Sequence, residues 1–373
     1  MEEPDITACG FRYNGDMIDV IAGFDIGGTK IALVLAELSG AVIHRVVEPT
    51  DTTSVAIEVK NDTVIYHGLA IQLQRMLHEA ASELGEMDIR AIGIVSAGPI
   101  REGALWNPTN IVPEGIAPSR RTQRRVMPLV EPLSGAFHCP VSLLNDCSAA
   151  VLAEVMFGVG KEVTDKSTLH LAYATISTGF GVGAWIDGRL ILGKDGNAGE
   201  LGHVYVRKDG LMCGCGNRGC AEAYCSGTGI VKNAHALLQE LPDLQRDAPE
   251  FCRLALDDAP TSSGASLSDV LSSITPMRVF EAAAANDPLA RTVIDDVIFA
   301  GGIALAAIAC AYDPQCISVG GGIALAHPEI LGPIEHEMRS HLNVRAPEVR
   351  LTPLGSRVTE FGALAIAQSL LAH

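Results

Sequence analysis

The stretch "FDIGGTKIALVLAE", residues 24–37, sets Asp25, Gly27, Gly28, Thr29 and Lys30 between two runs of aliphatic residues. Two familiar glycine motifs nearly fit it. Counting from Gly23, four residues lead to Gly28, Thr29 and Lys30, which approximates a P-loop except that the threonine precedes the lysine. A P-loop also opens a helix, whose N-terminus holds the phosphate. Here residues 31–35 form a short apolar run that favours a strand. A Rossmann turn fails for the same reason. The turn therefore joins strand to strand as a tight hairpin. Gly27 and Gly28 are expected at positive φ, so that a phosphate can approach backbone N–H groups. A glycine hairpin with no ligand is the competing reading.

The chain has 373 residues, more than one hydrophobic core usually supports, so two lobes are expected. Its net charge of -17 argues against a nucleic-acid groove. It also requires any bound phosphate to be met locally, by N–H groups, a lysine or a metal ion. The opening "MEEPDITACGFRYNGDM" lacks the basic start and apolar stretch of a signal peptide. No uninterrupted apolar run approaches bilayer length. The expectation is a cytoplasmic protein with neither nucleic-acid nor membrane partners. Its ten cysteines are then reduced or bound to metal.

Strand and helix signals alternate along the chain. Residues 19–26, 31–38 and 41–47 read as strands, 63–84 as one amphipathic helix, and "RAIGIVSAG" and "CPVSLLND" as further strands. "CSAAVLAEVMFG" is a helix closed by Gly158. "LHLAYATISTGFGVGAWIDGRLILG", residues 169–193, then repeats the opening theme of strand, Thr/Gly turn and strand. This suggests an internal duplication, with the two turns facing each other across a cleft. Residues 240–278 read as an inserted loop, 279–312 as helices, "CISVGGG" as a strand and turn, and 357–371 as a last helix.

The most specific signal lies between residues 203 and 220, where His203 is followed by Cys213, Cys215 and Cys220 in "CGCGNRGC". One imidazole and three thiols interleaved with glycines match a closed tetrahedral zinc site. With all four positions filled by protein, the zinc would be structural, and it would fix the loop that carries Glu200 and Glu222. A reduced cysteine cluster beside a histidine is the competing reading.

Taken together, "DIGGTK", "ND" at 145–146, "STGFGVG" at 177–183, "ELGH" at 200–203, "CGCGNRGC" with Glu222 two residues later, and "VGGG" at 319–322 resemble the ROK family. That family of repressors, open reading frames and kinases consists mostly of ATP-dependent sugar kinases. The resemblance implies an α/β, two-lobed fold of the actin, hexokinase and heat-shock ATPase type, with a duplicated mixed β-sheet. It implies an N-terminal extension (1–18), an N-terminal lobe (19–144), a C-terminal lobe (145–354) and a C-terminal helix (355–373) packing back on the N-terminal lobe. A homodimer or higher homo-oligomer is expected.

Roles follow from the same resemblance. Asp146 is the candidate base for the incoming hydroxyl, with helix capping as its competing role. Asn145 and Asn110, or its neighbour Asn107, are candidate sugar ligands, together with His203 and with Asp146, Glu200 and Glu222, whose carboxylates accept hydrogen bonds from vicinal hydroxyls. Gly27, Gly28, Thr29, Lys30, Ser177, Thr178 and Gly179 would meet the ATP phosphates. Asp25 would hold Mg²⁺, and Gly320, Gly321 and Gly322 would approach the adenosine. The expected activity is phosphorylation of glucose or a broader set of hexoses at O6, with N-acetylmannosamine kinase as the runner-up. A sugar-responsive regulator would carry a DNA-binding domain ahead of the first turn, and the 24 residues before Asp25 are too few for one.

Overall fold

A computed structural model describes residues 18–53, 57–108, 111–113, 123–258 and 265–371. The chain divides into two compact units, one formed by residues 1–161, 192–198 and 357–373, the other by 162–191 and 199–356.

The first unit is built on the opening hairpin. Strands β1 (Ile18–Ile26) and β2 (Lys30–Glu37) pair antiparallel with Asp25 opposite Ala32, and β3 (Val42–Pro49) continues the sheet beyond β2. After β4 (Ile57–Lys60) and β5 (Thr63–Tyr66), strand β6 (Met87–Ser96) runs parallel to β1 and places Ser96 beside Ile26. Beyond β7 (Ile100–Arg101), β8 (Ala104–Trp106) and β9 (Arg124–Pro128), strand β10 (Val141–Leu144) runs parallel to β6. The sheet order is β10-β6-β1-β2-β3. Its parallel strands all end at one edge, the usual place for a ligand in an open α/β sheet.

Both faces of this sheet are covered, which is why β1 and β2 are apolar almost throughout. On one face lies helix Gly68–Leu84, whose Leu69, Leu73, Met76 and Leu77 follow helical spacing and pack with Phe24, Ile26, Leu33 and Leu35. Each such burial contributes about 1.5–3 kcal/mol before entropy is subtracted. On the other lies helix Val358–Leu371. A Cβ on Gly93 would overlap the carbonyl oxygen of Ala363, so the absence of a side chain lets this helix settle onto the strands.

Several local expectations change. Residues 63–66 are β5 instead of the first turn of a helix, because "TVIY" is a β-branched and aromatic run that pairs antiparallel with β4 and parallel with β9. They belong to a small sheet of order β4-β5-β9-β8-β7. The break between units falls after residue 161 instead of at 144/145. β10 is hydrogen-bonded to β6, and helix Asp146–Met156 meets the C-terminal helix where a Cβ on Gly362 would lie 2.7 Å from Ala149 O.

In the second unit, β11 (Leu171–Ile176) and β12 (Phe180–Ile186) form an antiparallel hairpin, β13 (Arg189–Leu190) follows β12, and β14 (Cys316–Gly320) and β15 (Glu348–Leu351) add parallel strands beyond β11. The order β13-β12-β11-β14-β15 repeats the first sheet strand for strand and direction for direction, so the fold is duplicated.

Residues 240–278, read from sequence as a loop, are largely helical where described: Leu244–Asp247, Pro249–Asp258 and Leu267–Ser273. Phe251, Leu254 and Val270 are buried in the core, and that burial pins the segment. The helical stretch after residue 275 breaks at Asn286, with φ of 68°. Asp287 caps the next helix, accepting from Leu289 N and Ala290 N at 3.0 Å. That helix, Pro288–Tyr312, is long and apolar enough to cross a membrane, contrary to the reading of the sequence. Its Val293, Val297, Ala304 and Ile308 are buried among the core residues of this unit.

Candidate functional site

At the carboxyl-end edge of the first sheet, the parallel register of β1, β6 and β10 gathers Asp25 and the Asn145-Asp146 pair. Asp25 Oδ2 accepts a hydrogen bond of 2.7 Å from Thr359 Oγ1 on the C-terminal helix. Burial pushes the Asp25 carboxyl up to about 6. The negative charges of Glu360 and Asp146 add to this, while Thr359 and Lys30 oppose it. Burial also raises Asp146 above the ordinary carboxylate range, partly opposed by the Cys147 N–H that donates to Oδ1 at 2.8 Å.

The capping role belongs to Asn145. Its Oδ1 accepts from Ser148 N at 2.7 Å, and Asp146 is already the first helical residue. The Asn145 carbonyl oxygen is thereby occupied, leaving its amide NH₂ as the donor available to a ligand. Asn145 lines a cavity of about 780 Å³ with Pro99, Trp106, Leu144, Lys194 and Asn197. Asn107 closes a turn, accepting from Arg125 N at 2.7 Å with φ of 47°, and Asn110 lies outside the described residues.

The first turn joins strand to strand as expected, closed by Gly27 N donating to Lys30 O at 2.9 Å and by Thr50 Oγ1 donating to Gly27 O at 2.8 Å. Gly27 and Gly28 are not at positive φ, which corrects the expectation, so the backbone conformation alone does not demand glycine there. The residue that meets this demand is Gly321, with φ of 92° and a Cβ position 2.5 Å from Ile176 O.

In the second unit, Ser177 N donates to Gly179 O at 3.0 Å, and Gly227 N donates to Ser177 O at 2.7 Å. The turn is thus tied to the start of helix Gly227–Glu240, which Ser226 caps. Ser177, Thr178 and Gly322 line a cavity of about 690 Å³ with Thr228, Lys232 and Ile323. Of the three glycines at 320–322, Gly322 faces this space, whereas a Cβ on Gly320 would overlap the Tyr173 hydroxyl.

His203, Cys213, Cys215 and Cys220 bring one donor atom each within 4.8 Å of one another. Cys213 Sγ lies 3.6 Å from His203 Nδ1, and Cys215 Sγ lies 3.7 Å from Cys220 Sγ. With Zn–S of about 2.3 Å and Zn–N of about 2.0–2.1 Å, a tetrahedral centre separates S from N by roughly 3.6 Å and S from S by roughly 3.8 Å. The donor set therefore fits zinc, which His203 Nδ1, the nitrogen nearer Cys213 Sγ, would ligate. Burial pushes the Cys213 thiol up to about 12, a cost that a bound cation removes by holding the thiolate.

Two carboxylates bracket this cluster. Glu222 Oε2 accepts from Phe180 N at 3.0 Å, and Oε1 lies 3.3 Å from Cys213 Sγ, so Glu222 ties the cysteine loop to the second hairpin turn. A Cβ on Gly179 would approach Glu222 Oε2 to 2.8 Å, which explains the glycine there. Glu200 Oε2 lies 3.5 Å from His203 Nε2. The sequence reading missed Thr359, Thr228, Lys232 and Ile323, none of which carries a local motif.

The family model described as "ROK family" matches residues 21–370. A glucokinase of Pyrobaculum calidifontis is 32% identical over 349 residues, covering 92% of this chain and 94% of its own length. The ROK hexokinase of Thermus thermophilus, 27% identical, superposes with a TM-score of 0.72 over 95% of this chain and 100% of its own. A ROK family glucokinase from Streptomyces griseus, solved in complex with glucose and AMPPNP, is 27% identical with a TM-score of 0.65, covering 94% of this chain and 99% of its own. A duplicated sheet, a Cys₃His cluster between two glutamates and a family match spanning nearly the whole chain agree: the chain belongs to the ROK family.

Proposed function

We propose that the protein is an ATP-dependent sugar kinase that phosphorylates a hexose, glucose foremost, at O6. The observation that carries this reading is the placing of Asp146 and Asp25 at one sheet edge, where burial raises the proton affinity of both and the charge of Asp146 raises that of Asp25 further. Asp146 takes the proton of the acceptor hydroxyl. A carboxylate raised toward neutrality is the stronger base, and general-base catalysis of this kind contributes ~10²–10⁴-fold. The Asn145 NH₂ donates to a sugar hydroxyl, and Glu200 and Glu222 accept from others. Asp25 would hold a magnesium ion, which would supply charge neutralisation for the phosphates. His203, Cys213, Cys215 and Cys220 would hold zinc, which would supply rigidity to the loop bearing Glu222. Glucokinase and hexokinase relatives support the acceptor class.

An ADP-release assay against a panel of hexoses and acetylated hexosamines tests the reading. The highest kcat/KM is expected with glucose. Turnover of N-acetylmannosamine in preference to glucose would move the acceptor, and ADP release with no sugar in the panel would overturn the kinase reading.

A further inference from the structure

Resting on the kinase reading, we infer that Arg207 is a positioning residue for the acceptor sugar: through Tyr224 it holds the turn that carries Glu222, by contacts separate from those of the Cys₃His cluster. That turn, Ala221–Ala223, lies between Cys220 and Tyr224. Cys220 belongs to the cluster and anchors one end. The other end is anchored by Tyr224, which is buried and whose hydroxyl oxygen accepts from Leu211 N at 2.8 Å.

The Arg207 guanidinium sits over the Tyr224 ring, 4.9 Å from its centroid, and 5.9 Å from that of Phe299. Its Nη2 and Nη1 donate to Asp296 Oδ1 and Oδ2 at 2.6 and 3.4 Å. Asn233 Nδ2 donates to the same carboxylate at 2.9 Å. Asp296 and Phe299 belong to helix Pro288–Tyr312 and Asn233 to helix Gly227–Glu240, so two core helices fix the plane of the guanidinium. Tyr224 is held against that plane. An ammonium in its place neither forks onto a carboxylate nor stacks flat on a ring.

The backbone around Arg207 holds the approach to the turn as well. Val206 N donates to Gly219 O at 2.8 Å, and Tyr205 forms an antiparallel bridge with Cys220. A Cβ on Gly219, whose φ is 75°, would overlap Arg207 O, so the two segments meet at a distance that only glycine permits. Within the turn, Ala223 N and Tyr224 N donate to Cys220 O and Ala221 O at 3.0 Å. Glu222 thus projects from a single short turn, and a shift of about 1 Å in that turn is enough to cost a positioned group most of its effect. Because Glu222 accepts from sugar hydroxyls in the ground and transition states alike, its displacement raises the sugar KM and spares kcat.

Arg207→Lys in the full chain tests this, since it keeps a cation opposite Asp296; Asp296→Asn, which releases the guanidinium, should act in the same direction. The KM for glucose is expected to rise about tenfold, with kcat and the KM for ATP close to the parent's. Zinc content by elemental analysis should equal the parent's, and hydrogen exchange at the amides of Ala223, Tyr224 and Cys225 should quicken by about tenfold. An unchanged glucose KM, even with a lowered melting temperature, would overturn the inference and leave Arg207 a merely structural residue. Loss of zinc from Arg207→Lys would overturn it too, because the effect would then pass through the metal. If the parent phosphorylates no hexose, the kinase reading fails, and the exchange rates alone decide whether Arg207 holds the turn: unaltered rates would refute it.

Discussion

Thr359 Oγ1 donates to Asp25 Oδ2 at 2.7 Å, joining a helix at the end of the chain to a strand near its start. A hydrogen bond to a charged group contributes ~1.5–3 kcal/mol. Thr359→Val should therefore raise the magnesium concentration needed for half-maximal activity by about tenfold, and Thr359→Ser should restore it. Magnesium titration of steady-state rates decides. An unchanged requirement in the valine variant would mean that Asp25 is positioned without Thr359.

Next to Thr359, Glu360 is nearly buried and held by Arg45 and Arg357. Arg45 Nε and Nη2 donate to it at 2.9 and 2.6 Å, and Arg357 Nε donates at 2.9 Å. Burial by itself would raise this carboxyl, but the two guanidiniums outweigh it and hold Glu360 below its ordinary value of 4.5. Because the folded pKa is depressed, the stability it contributes is present above 4.5 and is lost as pH falls through the lower folded value. Glu360→Gln should cost about 1–2 kcal/mol at pH 7, since it removes the counter-charge of Arg45 and Arg357, whose partly exposed side chains water still screens. The gap between variant and parent should narrow below pH 4.5, as chemical denaturation across pH will show.

Asp146→Asn preserves size and most hydrogen bonds while removing the carboxylate. It should depress kcat by ~10²–10⁴-fold and leave binding of both substrates nearly intact. Asn145 is the cap, so Asn145→Ala, not Asp146→Asn, should lower helix stability, by ~1 kcal/mol. Kinetics and melting temperatures of the two variants separate the roles. A near-normal kcat in Asp146→Asn would remove it from the mechanism.

Zinc, one ion per chain, should be found by elemental analysis of the purified protein. Cys215→Ser should lower the melting temperature and the sugar affinity together, since structural zinc contributes directly to folding and the loop it fixes carries Glu222. A metal-free protein with an undiminished melting temperature would contradict the site.

Gly28→Val tests the opening turn. Because Gly28 is not at positive φ, the substitution should fold with little loss of stability. It should still obstruct nucleotide binding if phosphate approaches this backbone. Normal ATP affinity by calorimetry would leave the hairpin without a ligand.

What short stretches of chain can enforce is readable from the residues alone. Both Gly/Thr hairpins were legible because their strands are neighbours along the chain, and pairing them costs little loop-closure entropy. The Cys₃His set was legible for the same reason, its ligands lying between residues 203 and 220. Misreadings arose where local preference was ambiguous. Residues 63–66 suit a helix or a strand until β9 pairs with them, and the polar 240–278 stretch looks like a loop until Phe251 and Val270 are buried. Which distant groups meet emerges on folding: Asp25 with Thr359, Arg45 with Glu360, and Ser177 with Lys232 and Ile323 around one cavity. Such partners are chosen by strand register and by helix packing over side-chain-free positions such as Gly93, and neither is encoded in the spacing of the residues that finally touch.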